Sequence, residues 1–125
     1  MNNTIEKLIN ITKTCEKINN NIKQCFYGDS EQAKNVVQET DLVNDEFIPI
    51  YDEIKDAISK CNISPNPTIE LMKEIQFHLV RMKRYAREFD ENHEYETAVN
   101  MYHYCYLNIS VRVQTVKTLL KVYFG

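Results

Sequence analysis

His78, His93, His103, four cysteines and the Arg87–His93 pair are the groups in this 125-residue chain whose chemistry could build a site. A carboxylate-bridged metal pair in a helical bundle needs Glu-x-x-His on facing helices, so that a carboxylate and an imidazole one turn apart project together. None of the three histidines has Glu three positions before it; His93 has Asp90, a single match. No metal and no cofactor are therefore expected. Cys15, Cys25, Cys61 and Cys105 contain no C-x-x-C spacing, so a structural zinc site is unsupported. Each lies on an apolar stripe, where a free thiol behaves as a small hydrophobe, and all four are expected to be buried and reduced. With Gly28 and Gly125 as the only glycines, no phosphate-cradling loop can be built. Arg87 and His93 remain, with five residues between them. Chemistry on a phosphate there needs local positive potential, whereas Glu88, Asp90, Glu91, Glu94 and Glu96 supply the opposite. An Arg and a His near a helix C-terminus are also what the helix dipole favours for structural reasons.

Two stretches could bind rather than react. Tyr102-His103-Tyr104-Cys105-Tyr106 places aromatics around more of a helix than one core seam can cover, and Val99, Val113 and Leu120 widen the same apolar face. Tyr104 and Tyr106 flank the seam on opposite sides at about 100° per residue, so both cannot sit in a single core, and with His103 they are candidate partner-binding residues. Asp41, Asp45, Glu46, Asp52, Glu53 and Asp56 form an acidic strip, of which Asp45, Asp52 and Asp56 are the candidates to face a cationic partner.

The elements that position these groups follow from four seams of three-four spacing. Leu8, Ile11, Cys15, Ile18, Ile22 and Cys25 make the first. Val36, Thr40, Val43, Phe47, Ile50, Ile54, Ala57 and Cys61 make the second, and Met72, Ile75, Leu79, Met82, Ala86 and Phe89 the third. Tyr95, Ala98, Tyr102, Cys105, Ile109, Arg112, Val116, Leu119 and Tyr123 make the fourth. The first helix should run from about Thr4, capped by Asn3 or Thr4, to Tyr27, with Gly28 as its stop. Asp29 or Ser30 should cap the second. Pro49 lies inside that seam, so the second helix is expected to be kinked near residues 45 to 49, or split there with Asn44 or Asp45 as a new cap. The prolines of Asn62-Ile63-Ser64-Pro65-Asn66-Pro67 break the chain, and Asn66 followed by Pro67 is a cap and first-turn pair for the third helix. That helix should end near Asn92 and the fourth should start at Glu94, a turn short enough to force an antiparallel hairpin. The expected fold is all-α: one domain, residues 1–125, folded as an antiparallel four-helix bundle of long helices.

Composition bounds the rest. Fifteen Lys and Arg against eighteen Asp and Glu give a net charge of −3 and a pI near 5.6, which argues against a nucleic-acid binder. No segment approaches 18 uninterrupted apolar residues, and Met1-Asn2-Asn3-Thr4 has no signal-peptide character, so a soluble, cytoplasmic chain with no membrane partner is expected. Asn-x-Ser/Thr triplets begin at Asn2, Asn10, Asn62 and Asn108, which the abundance of Asn supplies by chance. Heavy use of Asn, Ile, Lys and Tyr suggests an AT-rich coding genome, such as that of a phage, a large virus, a low-GC bacterium or a protist.

Two resemblances attach to these residues. Ala86, Phe89, Asp90, Tyr95, Ala98 and Tyr102 make a hairpin similar to that of tetratricopeptide repeats, and still more to the MIT domain of trafficking proteins, with Cys105 where those families usually place Ala. The similarity covers about residues 79 to 109. It lacks a second copy about 34 residues away, and it lacks the third helix that an MIT domain places after the hairpin. The Arg87–His93 spacing resembles that of the HEPN ribonucleases, which are small helical bundles in which an Arg and a His paired across a dimer attack the RNA 2′-hydroxyl. That resemblance implies a metal-independent ribonuclease using Arg87 and His93. The residues themselves point instead to a non-enzymatic protein-protein interaction module of the adaptor, inhibitor or immunity type, with another protein or a second copy as partner. Seams this regular also suit a structural self-assembling protein.

Overall fold

The computed structural model describes residues 1–25, 31–62 and 66–125, and all the regular structure among them is helical. The first seam folds as α1 (Asn2–Cys25), the second as α2 (Gln32–Ser59) and the third as α3 (Pro67–Asn92). The fourth stretch is a continuous rod in three parts: α4 (Tyr95–Met101), a π-helical turn (Tyr102–Tyr106) and α5 (Leu107–Phe124). Side-chain bridges between neighbours give the directions. Thr4 Oγ1 donates to Glu53 at 2.7 Å and Asn21 Nδ2 to Glu39 at 2.7 Å, so α1 and α2 are antiparallel. Asn44 Nδ2 donates to the Leu79 carbonyl at 3.0 Å and Arg87 reaches Asp41, so α2 and α3 are antiparallel. Arg112 Nε meets Glu74 at 2.7 Å, while Asn92 meets Thr97 at the hairpin, so the fourth rod returns along α3. It packs against α1 as well, which closes the ring of four, and α2 lies diagonally across from it.

The seams meet inside this ring. Leu8, Ile11, Cys15, Ile18 and Ile22 of α1, Val36, Val43, Phe47, Ile50 and Ile54 of α2, and all six seam residues of α3 are buried. Burying each large aliphatic or aromatic side chain contributes about 1.5–3 kcal/mol, so the ring is held mainly by this apolar centre. Thr40, placed on the second seam, is fully buried and donates to the Val37 carbonyl at 2.8 Å. The second seam ends on Ile58, with Ala57 and Cys61 half-buried beside it.

Local signals act as their chemistry dictates at α3. Asn66 accepts from the Thr68 backbone N–H at 2.9 Å with Pro67 in the first turn, and His93 closes the helix in the left-handed region at φ 53°. Glu94 then opens α4. The expected stop at Gly28 and caps at Asp29 and Ser30 lie outside the described residues. Pro49 does not split α2, which runs as one helix of 28 residues. Pro49 sits exposed on the outer face, where it leaves the Asp45 carbonyl without an intrahelical donor but forces no polar group into the core.

The fourth rod departs from its expected seam. Ala98, Met101, Cys105, Ile109, Val113, Val116 and Leu120 are buried, whereas Tyr95 is 70% and Tyr102 38% exposed, and Arg112 and Leu119 are half-buried. Met101, Cys105, Ile109 and Val113 follow one another at steps of four, and in an α-helix each such step overshoots the turn by about 40°. The π turn absorbs that drift by widening one turn to an i→i+5 bond, from the Leu107 N–H to the Tyr102 carbonyl. All four cysteines are free thiols; Cys15 and Cys105 are buried, and Cys25 and Cys61 are only half-buried near helix ends. Burial pushes the Cys15 thiol up to about 12 and the Cys105 thiol up to about 11, so neither ionises near neutrality.

Candidate interaction surface

The π turn is held open from outside its own backbone. Asn108 Nδ2 donates to the Tyr104 carbonyl at 3.1 Å and to the His103 carbonyl at 3.5 Å. Arg112 Nη1 donates to Asn108 Oδ1 at 2.9 Å while its Nε holds Glu74 of α3 at 2.7 Å. This chain from Glu74 through Arg112 and Asn108 fixes the turn against α3, and it turns the Tyr104 side chain outward, 50% exposed. There Tyr104 meets Arg81. The Arg81 guanidinium carbon lies 5.7 Å from the Tyr104 ring centroid, 5.6 Å from that of Phe77 and 6.0 Å from that of Tyr85. Three rings from two elements thus surround one cation, an arrangement in which each ring face attracts the charge. Phe77 is 59% exposed; Val80 of α3 and Leu107 and Val111 of α5 are also exposed.

His78 lies under this surface. It is buried, its ring stands edge-on to Phe77 at 5.3 Å, and its Nδ1 has no hydrogen-bond partner. Burial is the main cause that lowers its pKa; the charges of Arg112 and Arg81 add to it, while the Tyr104 carbonyl and Glu74 oppose it. The unfolded chain, with His near its ordinary value of about 6.5, therefore binds more protons in mild acid than the folded chain does. Stability should fall as the pH drops from about 6.5 through the lowered value. Urea unfolding at about pH 7.5 and about pH 5 should show a loss that His78→Gln reduces; an equal loss in wild type and variant would assign the pH dependence to other groups.

The other expected site residues are spread over the bundle. His103 is exposed on the π turn and, with Tyr102, lines a cleft of about 280 Å³ that Asn19, Ile22, Tyr95 and Ala98 also border. Tyr106 is half-buried against the core, its ring 5.5 Å from that of Tyr102, and burial raises its pKa. Tyr104 and Tyr106 thus do separate, one outward and one inward. Asp45, Asp52 and Asp56 share the outer face of α2, with Leu42 59% and Ile48 50% exposed at its margins. Asp56 pairs with Lys60 at 3.0 Å. The π turn and this acidic face belong to diagonal elements and form no common site.

Arg87 Nη2 donates to both oxygens of Asp41, at 3.0 and 3.2 Å, and Lys83 approaches the same carboxylate at 3.6 Å. His93 stacks on Phe89, centroids 5.7 Å apart, and borders an open depression with Glu31, Lys34, Asn35, Gln38 and Asp90. Among the described residues no three His, Cys, Asp or Glu side chains converge on a common point, and no helix is long and apolar enough to cross a membrane.

Phe77, Arg81 and Tyr85 were not expected as site residues. Phe77 and Val80 are apolar and off the α3 seam, which is the signal that could have found them. Compared with known proteins, the chain matches no family model, no curated protein and no solved structure at a significant level.

Proposed function

We propose that this chain is a non-enzymatic protein-protein interaction module, of the adaptor, inhibitor or immunity type, whose contact is the aromatic face around Arg81. The observation that carries the reading is the cage itself: Arg81 between Phe77 and Tyr85 of α3 and Tyr104, the one ring of the three that stands on the π turn. Arg and Tyr dominate the energetics of protein contacts because both offer a large, rigid surface with polar edges, and π turns recur at functional sites. The exposed rings of Phe77 and Tyr104 gain most when a second surface removes them from water.

The test is capture from the native cell by tagged full-length chain, compared with a Phe77→Ser, Tyr104→Ser double variant. Wild type should retain a partner that the double variant loses, while the two melt within a few degrees of each other. Equal capture by both would move the contact elsewhere on the molecule. A metal-independent RNA cleavage by the purified chain, lost in His93→Ala, would replace the reading with the ribonuclease one.

A further inference from the structure

The aromatic face carries cations without counter-ions. Among the described residues the Arg81 guanidinium makes no hydrogen bond or ion pair, and its contacts are the three rings. Rings hold a guanidinium by its faces and leave its N–H edge free for a planar carboxylate, which it can take with two parallel bonds. Arg84, one turn along the same exposed side of α3, is likewise without an ion pair among the described residues. By contrast Arg87 and Arg112 are engaged by Asp41 and Glu74.

The outer face of α2 is the complement. Asp45 and Asp52 are exposed and have no ion pair among the described residues, unlike Asp41, Glu53 and Asp56, which have Arg87, Lys7 and Lys60. They lie seven residues, about 10.5 Å, apart on one side of the helix, with Ile48 and Pro49 between them. One face therefore presents apolar surface flanked by unpaired carboxylates, and the other presents rings flanked by unpaired guanidinium groups. α2 and α3 are neighbours in the ring and point these faces in different directions, so one copy cannot satisfy both from within.

We propose that the occupant of the Arg81 face is a second copy of this chain, which docks the Asp45–Asp52 side of its α2 there. Phe77 and Tyr104 cover Ile48 and Pro49, and Arg81 and Arg84 take the two carboxylates. The two surfaces differ, so the contact is heterologous: each copy offers one face to one neighbour and the other face to the next, giving a ring or an open chain. A contact of standard size covers about 800 Å² on each partner, against 7175 Å² of total surface for this chain. This inference rests on the interaction-module reading and names its partner.

Sedimentation velocity of the full chain over a wide concentration range tests it. Wild type should self-associate, and more weakly as salt rises. Arg81→Glu alone and Asp52→Arg alone should each weaken association about tenfold or more, because each places like charges across the contact. Mixing the two variants should restore association. The mixture re-creates Arg81 on Asp52 at one contact and opposes Glu to Arg at the alternate one, so recovery also shows that neither variant is merely misfolded. A monomeric wild type at all concentrations, variants that associate as wild type does, or a mixture that remains monomeric would each overturn the proposal. If wild type is monomeric but the Phe77→Ser, Tyr104→Ser variant still loses its cellular partner, the interaction module stands and its partner is another protein.

Discussion

Deleting Gln114 should unfold the C-terminal half of the fourth rod and lower Tm by about 10 °C or more, whereas deleting His103 should leave the bundle folded within a few degrees of wild type. Both residues are exposed, so burial alone does not separate them. The difference lies in helical phase. Removing one residue from an α-helix turns everything after it by about 100°. Loss of Gln114 would rotate Val116 and Leu120, both fully buried, off the core and bring Lys117 and Lys121 into their places. The two aliphatic side chains account for about 3–6 kcal/mol, and a buried unpaired ammonium adds a further penalty, against a typical total stability of about 5–15 kcal/mol. Loss of His103 falls inside the π turn. The twelve residue steps from Met101 to Val113 become eleven, close to three turns of 3.6, so the seam stays in phase as a plain α-helix. What is lost is the opening that Asn108 bridges at the Tyr104 carbonyl. Equal damage from the two deletions, measured by thermal melts, would show that the π turn does not set the register of the rod.

That turn is also the place where sequence and structure part. Three seams and the α3–α4 hairpin were legible because the apolar residues of α1, α2 and α3 repeat at the α period and few others compete for the same face. Asn66 and Pro67 marked a helix start because the side-chain bond to the Thr68 N–H is local and independent of the rest of the fold. In the fourth stretch two seams compete. Tyr95, Ala98 and Tyr102 satisfy a three-four spacing as well as Ala98, Met101 and Cys105 do, and apolar pattern alone does not rank them. The second wins because Met101 fits the closed interior while the tyrosines can leave their hydroxyls in water. Its four-residue steps then require the π turn, whose open carbonyls are answered by Asn108, itself held by an arginine bridged to α3. The Arg81 cage was hidden for the same reason. Phe77, Arg81 and Tyr85 are neighbours at one-turn spacing on α3, but Tyr104 joins them only once the π turn has fixed the direction of its ring. At Pro49 local sterics allow either a kink or a split, and of the two the split does not occur: α2 runs on as one helix because the proline lies on the solvent face and the core contacts on either side bind both halves to the same neighbours.

The two phenylalanines of α3 give the sharpest separation between the interior and the contact face. Phe89 is fully buried beside Ala86, at the end where α3 and α4 approach through small residues. Phe89→Ala would leave a void that a tight hairpin cannot close by collapse, and such a truncation costs about 3–5 kcal/mol. For a chain of this length that is a fall in Tm of roughly 10–25 °C. Phe77 is twelve residues earlier on the same helix, 59% exposed, with its ring against Arg81. Phe77→Ala removes surface that is mostly in water in the single chain, so its effect on stability should stay within about 0.5 kcal/mol. Its effect should appear in association instead, because the ring is both an apolar contact and one wall of the Arg81 cage. Thermal melts of the two variants and sedimentation of Phe77→Ala therefore answer different questions. A Phe77→Ala variant that melts as low as Phe89→Ala would make the outer face of α3 part of the core. One that melts and associates like wild type would remove Phe77 from the contact and leave Arg81 and Tyr104 to carry it.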